Sequence, residues 1–267
     1  MQIKKIVKKK KLKIFVICRL SSTRLKLKIK RKILGKSVLE ILILRLQKSF
    51  ENHNIVICSA GKKNKFFEDI RNKYNINIFY GSEKNLFDRI IECSNQFKVN
   101  HFVRITGDNP LTDIKTIKKM INIYFKKKLD YIYTNGLFPG LRPEIISISS
   151  LKKIYKLAED PNSSEYLTYF YLRKKLNKIY CLEEKRKSKE RKLSITIDTN
   201  KDFKKLKKLI KKKEDIFIDR NQITKKLKPE VVLENLRLIP LITKKYNVRL
   251  KSDLQNFNFI NLKEFHL

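Results

Sequence analysis

Residues 104–110, which read RITGDNP, place a carboxylate and a tight turn directly after an apolar run. The run at residues 101–105 is short, carries β-branched and aromatic side chains and is bounded by turn residues, so we predict a buried strand there. Gly107 permits the turn, and Pro110 cannot continue a sheet ladder. Asp108 is therefore predicted at the carboxyl end of a strand, where open α/β sheets bind ligands and an aspartate can hold a hard cation.

The elements around this motif alternate between strands and helices. Strands are predicted at residues 13–18, 54–58, 76–80, 101–105 and 130–134, and helices at residues 36–50, 64–74, 86–97 and 113–127. This alternation predicts a parallel sheet with right-handed crossovers and helices on both faces. The residues that leave these strands at one shared edge are Arg19, Ser59, Gly81 and Asp108. The sequence thus gathers basic, hydroxyl and carboxylate groups around one crevice.

The second half of the chain is less regular. Predicted elements are helices at residues 149–160, 163–175 and 229–238, strands at 179–183 and 193–197, and a lysine-rich helix from Asp198 to about Lys213. Residues 135–144 contain two glycines and two prolines and are predicted as a loop that could cover the crevice, and the charge run at 184–192 as an exposed loop. We divide the chain into a basic lead (1–12), one α/β domain (13–214) and a C-terminal extension (215–267).

The chain of 267 residues carries 64 Lys and Arg against 26 Asp and Glu, a net charge of +38. Taken alone, this charge suggests nucleic-acid binding. The basic residues are spread over the whole length, however, and lysine, isoleucine and asparagine share AT-rich codons, so we favour genome bias and expect no specific nucleic-acid partner. No apolar run approaches the ~20 residues of a membrane span. The 4 cysteines form no Cys-x-x-Cys pair, which favours buried free thiols in a cytoplasmic protein.

Motifs of several other enzyme classes are absent from the sequence. Neither glycine-rich nucleotide fingerprint occurs, there is no Gly-x-Ser-x-Gly elbow, and the 3 histidines lack metal-ligand spacing. What remains is a basic, hydroxyl-rich loop at residues 19–28 and the carboxylates of Asp108 and Asp198. This combination suits a nucleoside triphosphate held through Mg²⁺, with the basic groups neutralising the phosphates and the carboxylates holding the metal.

Several short segments resemble the sugar-acid cytidylyltransferase family, in the same order along the chain. They are RLSSTRL at residues 19–25 with Lys28, GSE at 81–83 with Asp88 and Arg89, VRITGD at 103–108, PLTD at 110–113, and Asp198-Thr199 with Asp202. The first is similar to the family's phosphate-binding loop, and the branch of spore coat polysaccharide synthesis is the most similar. The resemblance covers roughly residues 13–210.

The resemblance implies a single mostly parallel twisted sheet with helices on both faces, of the nucleotide-diphospho-sugar transferase (glycosyltransferase-A-like) type. The activity it implies is CTP + sugar acid → CMP-sugar + pyrophosphate, with Mg²⁺ as cofactor, for surface polysaccharide or glycan synthesis. A homodimer is a further expectation, since relatives often dimerise.

The shared edge and the resemblance together predict the site residues. For CTP they are Arg19, Ser21, Ser22, Arg24, Lys28, Ser59, Gly81, Arg89 and Arg104. Catalytic roles are predicted for Arg19, Lys28 and Asp108, metal binding for Asp108 and Asp198, and sugar binding for Glu144 and Glu165. Simpler readings stay open: Asp198 as a helix cap, Arg89 and Arg104 as structural ion pairs, and both glutamates as surface salt bridges.

Departures from the family pattern leave a second function open. Lys26-Leu27 stands where the family usually has Pro-Gly, Asn200 replaces a proline, and Thr196 stands where some relatives have a further aspartate. A catalytically degenerate relative that binds nucleotide without turnover would fit these changes. A basic nucleic-acid-binding protein is a third alternative, resting on charge alone.

Overall fold

The computed structural model describes residues 2–20, 25–156, 171, 178–185, 190 and 193–228. Its strands are β1 (Leu12–Cys18), β2 (Lys32–Ile33), β3 (Lys36–Ser37), β4 (Ile55–Ala60), β5 (Asn77–Gly81), β6 (His101–Thr106), β7 (Tyr131–Asn135), β8 (Glu144–Ser147) and β9 (Ile179–Glu183). Seven of them form one sheet in the order β5-β4-β1-β6-β8-β7-β9. Only β8 runs antiparallel to its neighbours in this described sheet, which confirms a mostly parallel arrangement.

Helices cover both faces of this sheet, as predicted. They are α1 (Gln2–Lys9), α2 (Val38–Gln47), α3 (Lys65–Tyr74), α4 (Leu86–Gln96), α5 (Ile114–Lys127), α6 (Ile148–Lys156), α7 (Asn200–Leu209) and α8 (Arg220–Lys226). On β1, Ile14 and Val16 pack in a core with α2, α3 and α5, whereas Phe15 and Ile17 pack in a second core with α4 and α6. Alternate side chains of a strand point to opposite faces, so β1 separates two helical layers.

The basic N-terminal lead forms a helix that packs against the α/β core. Residues 2–9 form α1, in which Val7 is buried and Ile3 and Ile6 pack against the first core. Residues three and four apart share one face of a helix, so these three side chains make a short apolar stripe. Lysine occupies most of the other positions of α1, so the sequence analysis did not recognise this stripe.

Strand β8 was missed by the sequence reading, which placed residues 135–144 in a loop. The structure ends that loop before Glu144, and all four residues of β8 are buried. Its four residues, Glu-Ile-Ile-Ser, are too few to be assigned to a strand or a helix from periodicity. The consequence for function is large, because β8 lies between β6 and β7 and brings Glu144 opposite Arg104.

A third apolar cluster lies beside the sheet and includes part of the predicted C-terminal extension. Ile216, Ile218 and Ile223 are buried in it together with residues of α2 and α7. Arg45 on α2 also binds this segment, because its Nη1 atom donates hydrogen bonds to the carbonyls of Ile216 (2.5 Å) and Ile218 (3.1 Å). The boundary at residue 214 stays a prediction, although the packing continues across it.

The remaining predictions meet different outcomes. Glu190, predicted within an exposed loop, is 1% exposed and lies 2.7 Å from Nη2 of Arg220, so it is a buried ion-pair partner. The predicted helices at residues 163–175 and 229–238 lie outside the described residues, apart from Tyr171. The four cysteines are free thiols, three of them buried. Among the described helices, none has the length and apolar composition of a membrane-spanning helix.

Candidate functional site

The carboxyl ends of β1, β4, β5 and β6 lie along one edge of the sheet, because these strands are paired in parallel register. A cavity of about 220 Å³ lies at this edge. The predicted site residues that line it are Arg19, Lys28, Arg89, Arg104, Asp108 and Asp198. Side chains far apart in the sequence therefore meet at one place.

The side chain of Lys28 connects the two carboxylates of this cavity. Its Nζ atom lies 2.5 Å from Oδ2 of Asp108 and 2.9 Å from Oδ1 of Asp198. Leu27 has a left-handed backbone conformation (φ 53°) and starts the short helical turn Lys28–Lys30. Burial lowers the pKa of the Lys28 ammonium, but the charges and hydrogen bonds of the two aspartates outweigh it, so the pKa is raised and Lys28 stays charged.

Asp108 is positioned by the turn that follows β6. The N–H of Gly107 donates to the carbonyl of Ile17 at the end of β1 (2.9 Å), and a Cβ at Gly107 would lie 2.5 Å from Sγ of Cys18. Glycine is therefore required for the close approach of this turn to β1. The hydroxyl of Thr106 donates to Oδ1 of Asp108 (2.6 Å), and Oδ2 contacts the Lys28 ammonium.

Asp198 reaches the cavity by a route that the sequence reading described wrongly. Residues 193–197 do not form a strand, although Leu193, Ile195 and Ile197 are buried in alternation as a strand pattern predicts. The N–H of Ile195 donates to the carbonyl of Pro139 (3.0 Å), and that of Ile197 to the carbonyl of Asp108 (3.0 Å). Both acceptors are in loops, so the segment is extended but joins no ladder, and it holds Asp198 next to Asp108.

The donor set fits a divalent cation. Oxygens of Asp108 and Asp198 already surround one cation, the Lys28 ammonium, and Asp198 is 5% exposed. Among the described residues there is no cluster of three or more His, Cys, Asp or Glu that could hold a metal ion. Mg²⁺ is commonly held by one or two carboxylates together with waters and substrate phosphates. The two aspartates therefore suit a metal ion whose other ligands are waters and the phosphate oxygens of a triphosphate.

Arginines surround the carboxylates. Arg19 is exposed at the end of β1, whereas Arg89 is 6% exposed and its Nη1 donates to the carbonyl of Ser82 (3.0 Å). Both line the cavity and add positive charge for an anionic ligand. Cys18 also lines it, but burial and the Asp108 charge raise the pKa of its thiol, so it remains protonated and is a poor nucleophile.

A second, smaller cavity of about 130 Å³ adjoins the first. Arg104 and Thr106 line both cavities, and Asn109, Thr134 and Arg142 line only the second. Glu144 also lines it, and its carboxylate is bound by Nη1 of Arg104 (2.5 Å). The site therefore has two compartments with Arg104 between them.

Other predicted site residues lie elsewhere. Ser59 is fully buried and its hydroxyl donates to the carbonyl of Ala60 (3.2 Å). Gly81 ends β5, and a Cβ there would lie 2.5 Å from a ring carbon of Phe79 and 3.1 Å from Cγ of Arg89, so its small size makes room for both side chains. Neither is among the residues lining the cavity. The remaining predicted residues, Ser21, Ser22, Arg24 and Glu165, lie outside the described residues.

The sequence reading also missed residues of the site. Thr106 stands within the RITGDNP motif but had no assigned role, although a hydroxyl two residues before an aspartate is a signal for a short local hydrogen bond. Arg142 and Thr134 follow from the position of β8, and no sequence pattern indicated them.

The sequence of this chain is similar to known proteins over most of its length. A family model described as cytidylyltransferase matches residues 14–235. An uncharacterized protein of Methanocaldococcus jannaschii is 35% identical over 220 residues, which are 82% of this chain and 90% of the relative. The spore coat polysaccharide biosynthesis protein SpsF of Bacillus subtilis is 28% identical over 210 residues, 74% of this chain and 86% of SpsF.

Solved structures share the fold. A cytidylyltransferase from Leptospira borgpetersenii has a TM-score of 0.70 at 24% identity, covering 89% of this chain and 95% of that one. The CMP:2-keto-3-deoxy-manno-octonic acid synthetase complexed with CTP has a TM-score of 0.55 at 14% identity, covering 74% and 97%. These similarities confirm the sheet architecture that the sequence predicted.

Proposed function

The chain belongs to the cytidylyltransferase family and is a CTP-dependent nucleotidyltransferase, and from this premise we propose that it transfers the CMP group of CTP to a hydroxyl of a sugar acid. The acceptor oxygen forms a bond to the α-phosphorus while the bond from that phosphorus to the bridging oxygen breaks. Pyrophosphate leaves with the electron pair, and the hydroxyl proton is released to solvent. The product is a CMP-sugar for polysaccharide or glycan synthesis.

The convergence of Lys28, Asp108 and Asp198 is the observation that carries this proposal. Asp108 and Asp198 would hold Mg²⁺, which when bound supplies positive charge to the phosphate oxygens. Lys28 and Arg19 bind the triphosphate and stabilise the charge that develops on departing pyrophosphate. Lys28 contacts both aspartates, so its ammonium would have to shift toward the phosphates for the aspartate oxygens to hold Mg²⁺.

The acceptor class rests on three supports. SpsF is named for spore coat polysaccharide biosynthesis, and a neighbour of the same fold is named as a synthetase that joins CMP to 2-keto-3-deoxy-manno-octonic acid. The second cavity is lined by Arg142, Thr134 and Asn109, which suit a carboxylate and several hydroxyls. The predicted roles of Ser21, Ser22, Arg24 and Glu165 remain part of this proposal.

The full-length protein, given CTP, Mg²⁺ and a panel of octulosonic and nonulosonic acids, is expected to release pyrophosphate with at least one acid. A coupled pyrophosphate assay measures the rate, and chromatography identifies the CMP-sugar. ATP, GTP and UTP are the matched controls and should give little product. In parallel, CTP at about 100 times its Kd should stabilise the protein by roughly 2.7 kcal/mol, seen as a higher Tm.

Three results would contradict parts of this proposal. A Tm raised by CTP without turnover of any acid in the panel would identify a binding-only relative. Turnover with an acceptor that is not a sugar acid would remove the acceptor class. No response to CTP, together with binding to DNA or RNA that is present at physiological salt and weakens steeply as the salt concentration rises, would favour the nucleic-acid alternative.

A further inference from the structure

The wall between the two cavities holds a buried ion pair that no family resemblance assigns. Arg104 on β6 and Glu144 on β8 are directly opposite in the antiparallel register. Nη1 of Arg104 lies 2.5 Å from Oε2 of Glu144, and the side chains are only 16% and 11% exposed. The hydroxyl of Tyr131 on β7 donates to Oε1 of Glu144 (2.6 Å). Both oxygens of the carboxylate are thus held from the two strands that flank β8.

This pairing fixes the charge and the direction of Arg104. Burial lowers the pKa of the Arg104 guanidinium, but the charge and hydrogen bond of Glu144 outweigh it, so the pKa is raised. A guanidinium carries five N–H donors in a rigid plane, and the contact with Glu144 uses only one edge. The Nε atom of Arg104 is buried and has no hydrogen-bond partner among the described residues.

The second cavity contains two further polar atoms of this kind. Oδ1 of Asn109 and the hydroxyl of Thr134 are buried and have no hydrogen-bond partner in the described part of the chain. Both residues, like Arg104, line the second cavity. A buried polar group that lacks a hydrogen-bond partner costs free energy. Three such atoms around one small cavity therefore indicate that a polar ligand provides their hydrogen-bond partners.

Transfer between two substrates must occur where their compartments meet. Arg104 and Thr106 are the residues that line both cavities, and the metal-binding carboxylates line only the first. We infer that Arg104 contacts the α-phosphoryl group as it passes to the acceptor, and that Glu144 is a positioning residue for Arg104 rather than a sugar ligand. The inference rests on the proposed function, and it reassigns Glu144 within it. Tyr131 is assigned the supporting contact.

The α-phosphate contact is tested by comparing CMP with cytidine, since the two differ only in that phosphate. Calorimetry with Mg²⁺ present gives both Kd values for the wild-type protein, for Glu144→Gln and for the double variant Arg104→Gln/Glu144→Gln. The double variant keeps two side chains of similar size and leaves no buried charge unpaired. We expect its preference for CMP over cytidine, the ratio of the two Kd values, to fall about tenfold or more, which is the usual effect of losing a charge-assisted hydrogen bond.

Positioning by Glu144 has a signature of its own. Glu144→Gln retains Arg104, so a purely structural role would lower the Tm and leave the CMP preference unchanged, whereas a positioning role lowers both the CMP preference and kcat/KM for CTP. Tyr131→Phe should lower the preference less, because it removes one contact to Glu144 and none to Arg104. If the double variant does not fold, Arg104→Lys replaces it, and the preference should again fall because an ammonium lacks the second N–H edge.

An unchanged CMP preference in the folded Arg104 variants would overturn the inference. It would also be overturned if the only change were a higher KM for the acceptor, since Arg104 would then be an acceptor ligand. Failure of the proposed function itself looks different: the wild-type protein would form no CMP-sugar with any acid of the panel, whereas the CMP preference is measured by binding alone.

Discussion

Replacing Asp108 with asparagine is expected to lower pyrophosphate release at saturating CTP by about 10³-fold or more, the effect of losing several kcal/mol of metal-derived charge stabilisation. Asparagine has the same shape and can still accept the hydrogen bond from Thr106, so the fold should persist. In the proposed metal site, the change replaces one of two anionic ligands with a neutral one. Steady-state kinetics measure the effect, and circular dichroism and the Tm verify folding.

Asp113→Asn is the matched control for this change. Asp113 caps α5 by accepting a hydrogen bond from the N–H of Thr116 (3.3 Å), and asparagine caps helices about as well as aspartate. The control should therefore retain the wild-type kcat. A folded Asp108→Asn protein with nearly wild-type turnover would exclude Asp108 from metal binding.

Replacing Lys28 with methionine is expected to separate catalysis from metal affinity. Turnover should fall by about 10²-fold to 10³-fold, as happens when one preorganised donor to developing negative charge is removed. Binding of Mn²⁺ without nucleotide should tighten, because the Lys28 ammonium competes for the same aspartate oxygens. Kinetics with CTP give the first quantity, and electron paramagnetic resonance titration with Mn²⁺ gives the second.

Lys26→Met provides the control for Lys28. It removes the same charge from the same loop at an exposed position outside the cavity lining. It should change neither turnover nor Mn²⁺ affinity appreciably, since exposed charges at a distance are screened by salt. If Lys28→Met weakened Mn²⁺ binding while preserving turnover, Lys28 would have a structural role only.

Much of the scaffold could be predicted from periodicity. The alternating strands and helices of the first half predicted which residues leave strands at one edge, and Asp108 lies there because β6 ends where its apolar run ends. Asp198 was placed at the site for a partly wrong reason. The alternation of Leu193, Ile195 and Ile197 reports burial on one side, and burial does not require a strand partner.

The contacts within the site could not be predicted in the same way. Lys28 is 80 residues from Asp108 and 170 from Asp198 in sequence, so their meeting depends on the tertiary fold. The Arg104–Glu144 pair depends on β8 inserting antiparallel between β6 and β7, which no local pattern of four residues specifies. Local pattern thus predicted the edge, while pairing across the sheet decided which side chains share a cavity.

The most direct test of the central claim, that Asp108 and Asp198 hold one metal together with CTP, is the coupling between Mg²⁺ and CTP binding. Calorimetry gives the Kd of CTP with and without Mg²⁺ for the wild-type protein, Asp108→Asn and Asp198→Asn. We expect Mg²⁺ to tighten CTP binding by about tenfold or more in the wild-type protein, and we expect this coupling to be lost in both variants alike. Coupling that persists undiminished in folded Asp198→Asn would contradict the shared site.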